Sequence, residues 1–153
     1  MNAGPALKVL IADDSSSVRR VLSALVHQHP NCFVCGEAID GEEAVRKVTE
    51  LSPEVILLDL SIPVMDGVRV TNILKEKHPN VCVVLISEQD PRIMAYLTET
   101  LGVLAIPKSR LALDLIPTLT TLASVLQGSS ARMDYATNSE SGAPLRSLVS
   151  SSE

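Results

Sequence analysis

The segment Val55–Asp59 (VILLD) decides the fold, because four aliphatic residues in a row end in a carboxylate. An apolar run without polar alternation is typical of a strand that is covered on both faces. In an open parallel sheet, ligands bind outside the carboxyl ends of the strands, so polar residues at those ends are expected to meet. Three further apolar runs are also closed by polar residues: Leu7–Ala12 by Asp13-Asp14, Val81–Ile86 by Ser87, and Gly102–Pro107 by Lys108.

Stretches with helical spacing of apolar residues separate these runs. Ser15 or Ser16, and Asp90 before Pro91, can cap two of these helices. Asp40-Gly41 and Asp66-Gly67 lead into two others. One further strand is predicted at Phe33–Ala38, and the strand in the run Gly102–Pro107 is placed at Val103–Pro107. Five strand–helix units of this kind predict a single α/β domain, a doubly wound parallel sheet with helices on both faces.

The last helix is expected to run towards Gln127. If Asp114 is its N-cap, Pro117 lies in the first turn, where the amide groups have no helical partner. If it begins near Arg110, it should kink at Pro117. The chain is thus divided into an N-terminal extension (1–6), a folded domain (7–127) and a Ser-rich flexible tail (128–153).

Composition narrows the function classes. Of 153 residues, 46% are hydrophobic and the net charge is −5, which argues against direct nucleic-acid binding. The basic pairs Arg19-Arg20 and Lys75/Lys77 are interpreted as solvated helix faces. No apolar stretch approaches the ~18 residues of a membrane span, and no signal peptide is apparent. The three cysteines favour reduced thiols, and together these features predict a cytoplasmic protein with no membrane association.

The strand-end residues suit a metal ion and a phosphoryl group. Carboxylates from Asp14 and Asp59 can ligate Mg²⁺, with Asp13 holding a water. Lys108 can pair with phosphoryl charge, and the Ser87 hydroxyl can donate a hydrogen bond. Asp59, alone at the end of a buried strand, is the natural nucleophile.

These residues, with the segments Leu57–Gly67 (LLDLSIPVMDG) and Gly36–Ala44 (GEAIDGEEA), resemble the receiver domain of bacterial two-component response regulators. The resemblance covers about residues 6–126. It implies a flavodoxin-like sheet of order 2-1-3-4-5 and a stand-alone receiver that is phosphorylated on Asp59. It further implies Mg²⁺ bound by Asp14, Asp59 and the Ser61 carbonyl. The expected partners are a histidine kinase or histidine phosphotransfer protein and a downstream protein, and a homodimer is left open.

Four departures from the family pattern concern switching rather than fold. Glu88 follows Ser87 where the family has a small residue, and Ala105 stands where it has an aromatic switch residue. The segment from Gly102 to Lys108 is one residue shorter than the common pattern. Pro107 precedes Lys108, whereas the family usually has a proline after this lysine. The alternative is therefore a pseudo-receiver, a protein-binding module with little phosphorylation.

Two other interpretations are weaker. A phosphatase of the haloacid dehalogenase type would need a second aspartate two residues after its nucleophile, and Ser61 stands there. His27, His29, Cys32 and Cys35 have spacing compatible with zinc. However, Cys35 falls inside a predicted strand and the two histidines lie on different helix faces, which favours structural roles.

Overall fold

The computed structural model describes residues 5–135. Strands and helices alternate through this whole range. The strands are β1 (Leu7–Ala12), β2 (Cys32–Ala38), β3 (Val55–Asp59), β4 (Cys82–Ser87) and β5 (Leu104–Pro107). The helices are α1 (Ser16–His27), α2 (Gly41–Leu51), α3 (Gly67–Lys77), α4 (Pro91–Leu101) and α5 (Leu111–Tyr135), with a 3₁₀ turn at Lys108–Arg110.

The five strands form one parallel sheet in the order β2-β1-β3-β4-β5, as predicted. The register aligns the carboxyl ends of neighbouring strands. Ala12 pairs with Leu58, Asp59 with Ile86, and Ser87 with Pro107. The residues that end or follow these strands are therefore placed along one edge of the sheet.

Side chains alternate between two buried clusters, one on each face of the sheet. On one face, Val9 and Ile11 pack with residues of α1 and α5 such as Leu22 and Leu115. On the other, Leu10 and Ala12 pack with α2 and α3, and α4 contributes Leu97 and Leu101 at the margin. Each buried aliphatic side chain contributes roughly 1.5–3 kcal/mol relative to exposure. The prediction of helices on both faces is confirmed.

The predicted caps at Ser15 and Asp90 are confirmed, and Asp40 and Asp66 are caps as well. The side chains of Ser15, Asp40, Asp66 and Asp90 each accept a hydrogen bond from an amide in the first turn of the following helix. Strand limits differ from prediction by one residue. The Val81 amide still donates to His78 in the turn after α3, and the Val103 amide donates to Thr98 at the end of α4. Both are therefore excluded from the strands that follow them.

The strand β2 carries a β-bulge. Val9 pairs with Val34 and Leu10 with Gly36, so Cys35 is an extra residue with no partner in β1. The bulge lies on an edge strand, since β2 is the first strand of the sheet.

The start of α5 decides between the two predicted alternatives and confirms the start near Arg110. The helix begins at Leu111, so Asp114 is not its N-cap and Pro117 lies inside the helix. The Asp114 carboxylate instead accepts two hydrogen bonds from Arg110, at 2.8 and 3.1 Å. Arg110 thus provides the hydrogen-bond donors for this carboxylate within the first turn of α5. The kink at Pro117 stays a prediction.

The end of α5 corrects the predicted end of this helix. The helix continues to Tyr135, so the predicted boundary at Gln127 is wrong and the segment from 128 to 135 is helical rather than a tail. Once a helix exists, each added residue needs little further ordering, and Ala131, Arg132 and Met133 are good helix formers. The remainder of the predicted tail, 136–153, and residues 1–4 of the predicted extension lie outside the described residues.

Within the described range, the segment Lys108–Gln127 is the one helix whose length and composition would suit a membrane span. This segment is not a continuous apolar run, because Arg110, Asp114 and several threonines interrupt it. Leu111, Leu115, Leu119 and Leu122 of this segment are each at most 7% exposed and belong to the core under the sheet. Its apolar character is explained by packing against α1 and the strands.

Candidate functional site

Three carboxylates meet at the carboxyl edge of the sheet. Asp13 and Asp14 follow β1, and Asp59 ends β3; one oxygen from each lies within 4.8 Å of the other two. Asp13 and Asp59 are only 1% and 5% exposed, whereas Asp14 faces solvent. The structure thus brings together the three carboxylates that the sequence placed at strand ends.

Lys108 faces this cluster from the 3₁₀ turn after β5. Its Nζ lies 3.4 Å from Asp13 Oδ2 and 3.6 Å from Asp59 Oδ1. Burial lowers the pKa of Lys108. The charges of Asp59 and Asp13, with a smaller effect of Glu88, raise this pKa by more than burial lowers it, so the net shift is upward. The ammonium is therefore charged and aimed at the two buried carboxylates.

Asp59 is destabilised as an anion. Burial and then the charge of Asp13 raise the pKa of Asp59, while Lys108 and the Ser61 amide oppose the shift. That amide donates to Asp59 Oδ1 at 3.3 Å. Two buried like charges with one nearby cation leave a site that a further cation would stabilise.

Ser87 ends β4 at the same edge of the sheet. It is 1% exposed, and its Oγ accepts a hydrogen bond from the Gln89 amide at 2.9 Å. This contact leaves the hydroxyl proton available for a donor role. Because Ser87 pairs with Pro107, it is adjacent to the turn that carries Lys108.

The donor set fits Mg²⁺, which prefers carboxylate, carbonyl and water oxygens. Asp13 Oδ2 is the one buried side-chain oxygen or nitrogen among the described residues that has no hydrogen-bond partner. It faces Lys108 only as an ion pair. An unpartnered buried carboxylate oxygen beside two other carboxylates is the chemistry that a hard cation, or water bound to it, satisfies.

The loop after Asp59 is shaped by two glycines. A Cβ on Gly67 would lie 2.8 Å from Leu60 Cα and 3.0 Å from the Asp59 carbonyl oxygen, so the start of α3 can approach the site only without a side chain. A Cβ on Gly41 would lie 1.9 Å from the Met65 carbonyl oxygen. The loop is thereby packed against the start of α2.

The same loop contains a strained residue. Val64 has a φ of 73°, a region that β-branched side chains rarely adopt. The Met65 amide donates to the Pro63 carbonyl at 2.8 Å across it, which is the hydrogen bond of a γ-turn; with positive φ this turn is rare and strained. Ser61 lies earlier in this loop, and its carbonyl as a metal ligand stays a prediction.

The positions that depart from the family pattern lie beside β4 and β5. Glu88 is exposed, yet its charge contributes to the pKa of Lys108. Ala105 pairs with Leu85 and is half-buried against the cluster beneath α2, α3 and α4. A methyl group therefore occupies the place of a ring.

Arg19 is a functional candidate that the sequence interpretation missed. Its side chain is 17% exposed, and it donates to the Asp13 carbonyl and to Glu37. The interpretation of Arg19 as a solvated residue is wrong, whereas Arg20 is exposed. The position of Arg19, one turn beyond the Ser15 cap, is the sequence signal that could have indicated a contact with the loop before α1.

The histidine–cysteine cluster is not arranged for zinc. His29 Nδ1 accepts from the Asn31 amide at 3.0 Å, so Nε2 carries the proton and donates to Thr120 Oγ1 at 3.1 Å. Both ring nitrogens are engaged. Burial raises the pKa of Cys32 to about 11, which keeps its thiol protonated, and the three cysteines are free.

The fold and site first define a class: a doubly wound α/β protein with carboxylates, a hydroxyl and an ammonium at the switch-point edge of its sheet. The chain also matches the family model of the response regulator receiver domain over residues 9–106, and it belongs to that family. The predicted membership is confirmed. Such domains are regulatory modules of two-component signalling, in which phosphorylation and Mg²⁺ binding are typical.

Curated relatives match over their receiver portion. Protein-glutamate methylesterase/protein-glutamine glutaminase 4 of Geobacter metallireducens is 42% identical over 89 residues, which are 58% of this chain and 26% of that protein. The corresponding enzyme 2 of Methanosarcina mazei is 40% identical over 79 residues, 52% of this chain and 22% of that protein. The matches thus span about a quarter of the relatives' length.

Solved structures are similar in fold. The response regulator domain of Thermotoga maritima CheB has a TM-score of 0.70 and 26% identity, covering 78% of this chain and 98% of that one. The REC domain of AraT, a response regulator from Geobacillus stearothermophilus, has a TM-score of 0.69 and 29% identity, covering 82% and 98%.

Proposed function

We propose that this chain is a phosphoryl-accepting receiver whose acceptor is Asp59. It takes the phosphoryl group from a histidine kinase or histidine phosphotransfer protein and passes the signal to a downstream protein partner. The observation that carries the proposal is the position of Asp59, buried at a strand end among two carboxylates and 3.6 Å from Lys108.

The chemistry requires few groups. An Asp59 carboxylate oxygen forms the bond to phosphorus as the bond from phosphorus to the donor's histidine nitrogen breaks. Lys108 pairs with charge on the phosphoryl oxygens, and the Ser87 hydroxyl donates a hydrogen bond to one of them. Positioning and electrostatic stabilisation of this kind supply most of the catalysis in phosphoryl transfer.

Asp13, Asp14, Asp59 and the Ser61 carbonyl would hold Mg²⁺ directly or through water. When bound, the ion neutralises carboxylate and phosphoryl charge that would otherwise repel each other. The chain's own contribution is to keep Asp13 and Asp59 buried, with Lys108 within 3.6 Å of both carboxylates.

The test is intact mass after incubation with acetyl phosphate and Mg²⁺. We expect a phosphoryl adduct in the wild type and none in Asp59→Asn. Asp66→Asn is the matched control, because this carboxylate lies in the same loop but accepts from the Arg69 amide at 3.0 Å as a helix cap. An adduct that persists in Asp59→Asn would overturn the assignment of the acceptor.

The second candidate is a pseudo-receiver that binds partners with little phosphorylation. Exposed Glu88 and half-buried Ala105 favour it, since neither supports the family's switching mechanism. An unmodified wild type, under conditions that label an ordinary receiver, would support this candidate.

Other aspects of the proposal follow from the domain class. We place the receiver in the cytoplasm, without direct binding to nucleic acid or membrane, and treat homodimerisation as untested. The methylesterase and glutaminase activities belong to the relatives named above. For this chain we propose a regulatory phosphoacceptor that catalyses only its own phosphorylation and dephosphorylation.

A further inference from the structure

Asp13 is held from three directions. Its amide donates to the Ala38 carbonyl at 3.0 Å, and its Oδ1 accepts from the Ser15 amide at 2.8 Å. Its carbonyl oxygen accepts from Arg19 Nη1 at 2.8 Å. The partners in the first two contacts are backbone groups, the Ala38 carbonyl and the Ser15 amide. Lys108 pairs with the Asp13 carboxylate, whereas Arg19 holds the Asp13 backbone.

The Arg19 guanidinium bridges two elements. Its Nε donates to Glu37 Oε1 at 2.8 Å while Nη1 holds Asp13. Glu37 lies near the end of β2, opposite Ile11 of β1. A planar guanidinium can hold two acceptors in a fixed geometry, which an ammonium cannot do in the same way.

This bridge fixes the loop that carries two of the three carboxylates. Asp13 and Asp14 directly follow β1, and the carboxylates of the cluster repel one another. Without Arg19, the bond from the Asp13 amide to Ala38 would remain as a tie to β2, and that repulsion would favour an outward shift of the rest of the loop. Partners outside the ligand shell typically change metal affinity by about 10- to 100-fold when they are removed.

We propose that Arg19, anchored by Glu37, is a positioning residue that holds the Asp13-Asp14 loop in the geometry needed for cation binding. The inference rests on the proposed metal-assisted receiver function. Arg19 acts through the backbone of Asp13 and touches neither the cation nor the phosphoryl group.

Electrostatics alone predicts the opposite effect of Arg19 on the affinity for a cation. Arg19 carries a positive charge beside an acidic site, so its loss should strengthen binding of a cation if charge were the only effect. Positioning predicts weaker binding. The neighbouring Arg20 is the matched control, because it is exposed and its removal changes the net charge equally.

The experiment is a calorimetric titration with Mg²⁺ alone, since the chain has no Trp to report binding by fluorescence. We expect Arg19→Ala to bind Mg²⁺ about tenfold more weakly than wild type, and Arg20→Ala to stay within about twofold. Equal or tighter binding by Arg19→Ala would overturn the inference. Circular dichroism at the titration temperature establishes that each variant is folded.

Two variants of Glu37 test the anchor without touching Arg19. Glu37→Gln and Glu37→Ala remove the same charge, but only Gln keeps an oxygen that can accept from Arg19. We expect Glu37→Ala to bind Mg²⁺ several-fold more weakly than Glu37→Gln, and equal affinities would contradict the bridge. A wild type that binds no Mg²⁺ would overturn the proposed metal site itself, whereas tight wild-type binding that is unaffected in Arg19→Ala overturns only the role of Arg19.

Discussion

The two halves of the site are built differently. The acidic half, at the ends of β1 and β3, holds Asp13 and Asp59 buried and tied to backbone amides. The relay half, at the ends of β4 and β5, combines buried Ser87 with exposed Glu88 and with Ala105 in place of a ring. The family pattern is thus complete where charges are buried, and it changes where the signal would leave the site. The buried carboxylates are therefore concentrated at the ends of β1 and β3, and the departures from the family pattern at β4 and β5.

The largest expected effect is on the acidic half. Asp14→Asn removes a proposed ligand and one repelling charge, so the metal-free protein should melt at a higher temperature and lose most of its response to Mg²⁺. For comparison, a ligand at 100 times its Kd stabilises a protein by about 2.7 kcal/mol. Thermal melting with and without Mg²⁺ measures both effects.

Glu99→Gln is the control for this experiment, because Glu99 is an exposed carboxylate of α4 outside the cluster. It should melt and respond to Mg²⁺ like the wild type. If Asp14→Asn melts no higher than wild type without metal and keeps the full response, Asp14 does not belong to the site.

The next effect concerns the relay half. Beryllofluoride, a phosphoryl mimic, should slow hydrogen exchange in residues 87–100 and along β5, because Ser87 and Lys108 make the contacts that differ between the two states. With Ala105 no ring can rotate inward, so the response should stay local. Changes centred on α1, with 87–100 unaffected, would show that transmission runs through the acidic half instead.

A smaller effect tests how the acidic half is shaped. Val64→Gly should relieve the strain of a φ of 73° in the loop after Asp59. Such strain costs about 1–3 kcal/mol, and the backbone entropy of glycine offsets roughly 0.5–1 kcal/mol of the gain. Urea unfolding should give a net increase of about 1 kcal/mol. A decrease would mean that the exposed Val64 side chain stabilises the loop more than its backbone strains it.

The smallest effect returns to the relay half. Glu88→Ala should accept phosphate from acetyl phosphate about twofold faster at low salt, since two unit charges about 8 Å apart in water interact by about 0.5 kcal/mol. Added salt should reduce the difference by screening. The rate of adduct formation by mass measures it, and equal rates at low salt would place the Glu88 charge outside the path of the donor.

The sequence predicts the acidic half well for a physical reason. A buried apolar run such as Val55–Leu58 forms a strand of the central sheet, and the parallel arrangement then places Asp59 and Asp13-Asp14 at one edge. The cap at Ser15 is equally local. Element type, sheet order and the meeting of the carboxylates all follow from short-range patterns combined with one topological rule.

The features that the sequence did not predict depend on contacts that form only in the folded chain. The bond from His29 to Thr120 spans 91 positions, and nothing in the zinc-compatible spacing indicates that both ring nitrogens are used. Arg19 appears in a basic pair with Arg20, and only the bend of the chain after β1 distinguishes the buried member from the exposed one. The sequence left the start of α5 open, and the pair of Asp114 with Arg110 shows why Asp114 does not cap the helix.

The bulge at Cys35 has a consequence for self-association. The strand β2 is one open edge of the sheet, and an irregular edge is a poor template for a strand from a second molecule. The other edge, β5, spans 4 residues and ends in Pro107, which has no amide hydrogen to donate. Both edges of the sheet thus resist aggregation by strand addition from a second copy of the chain.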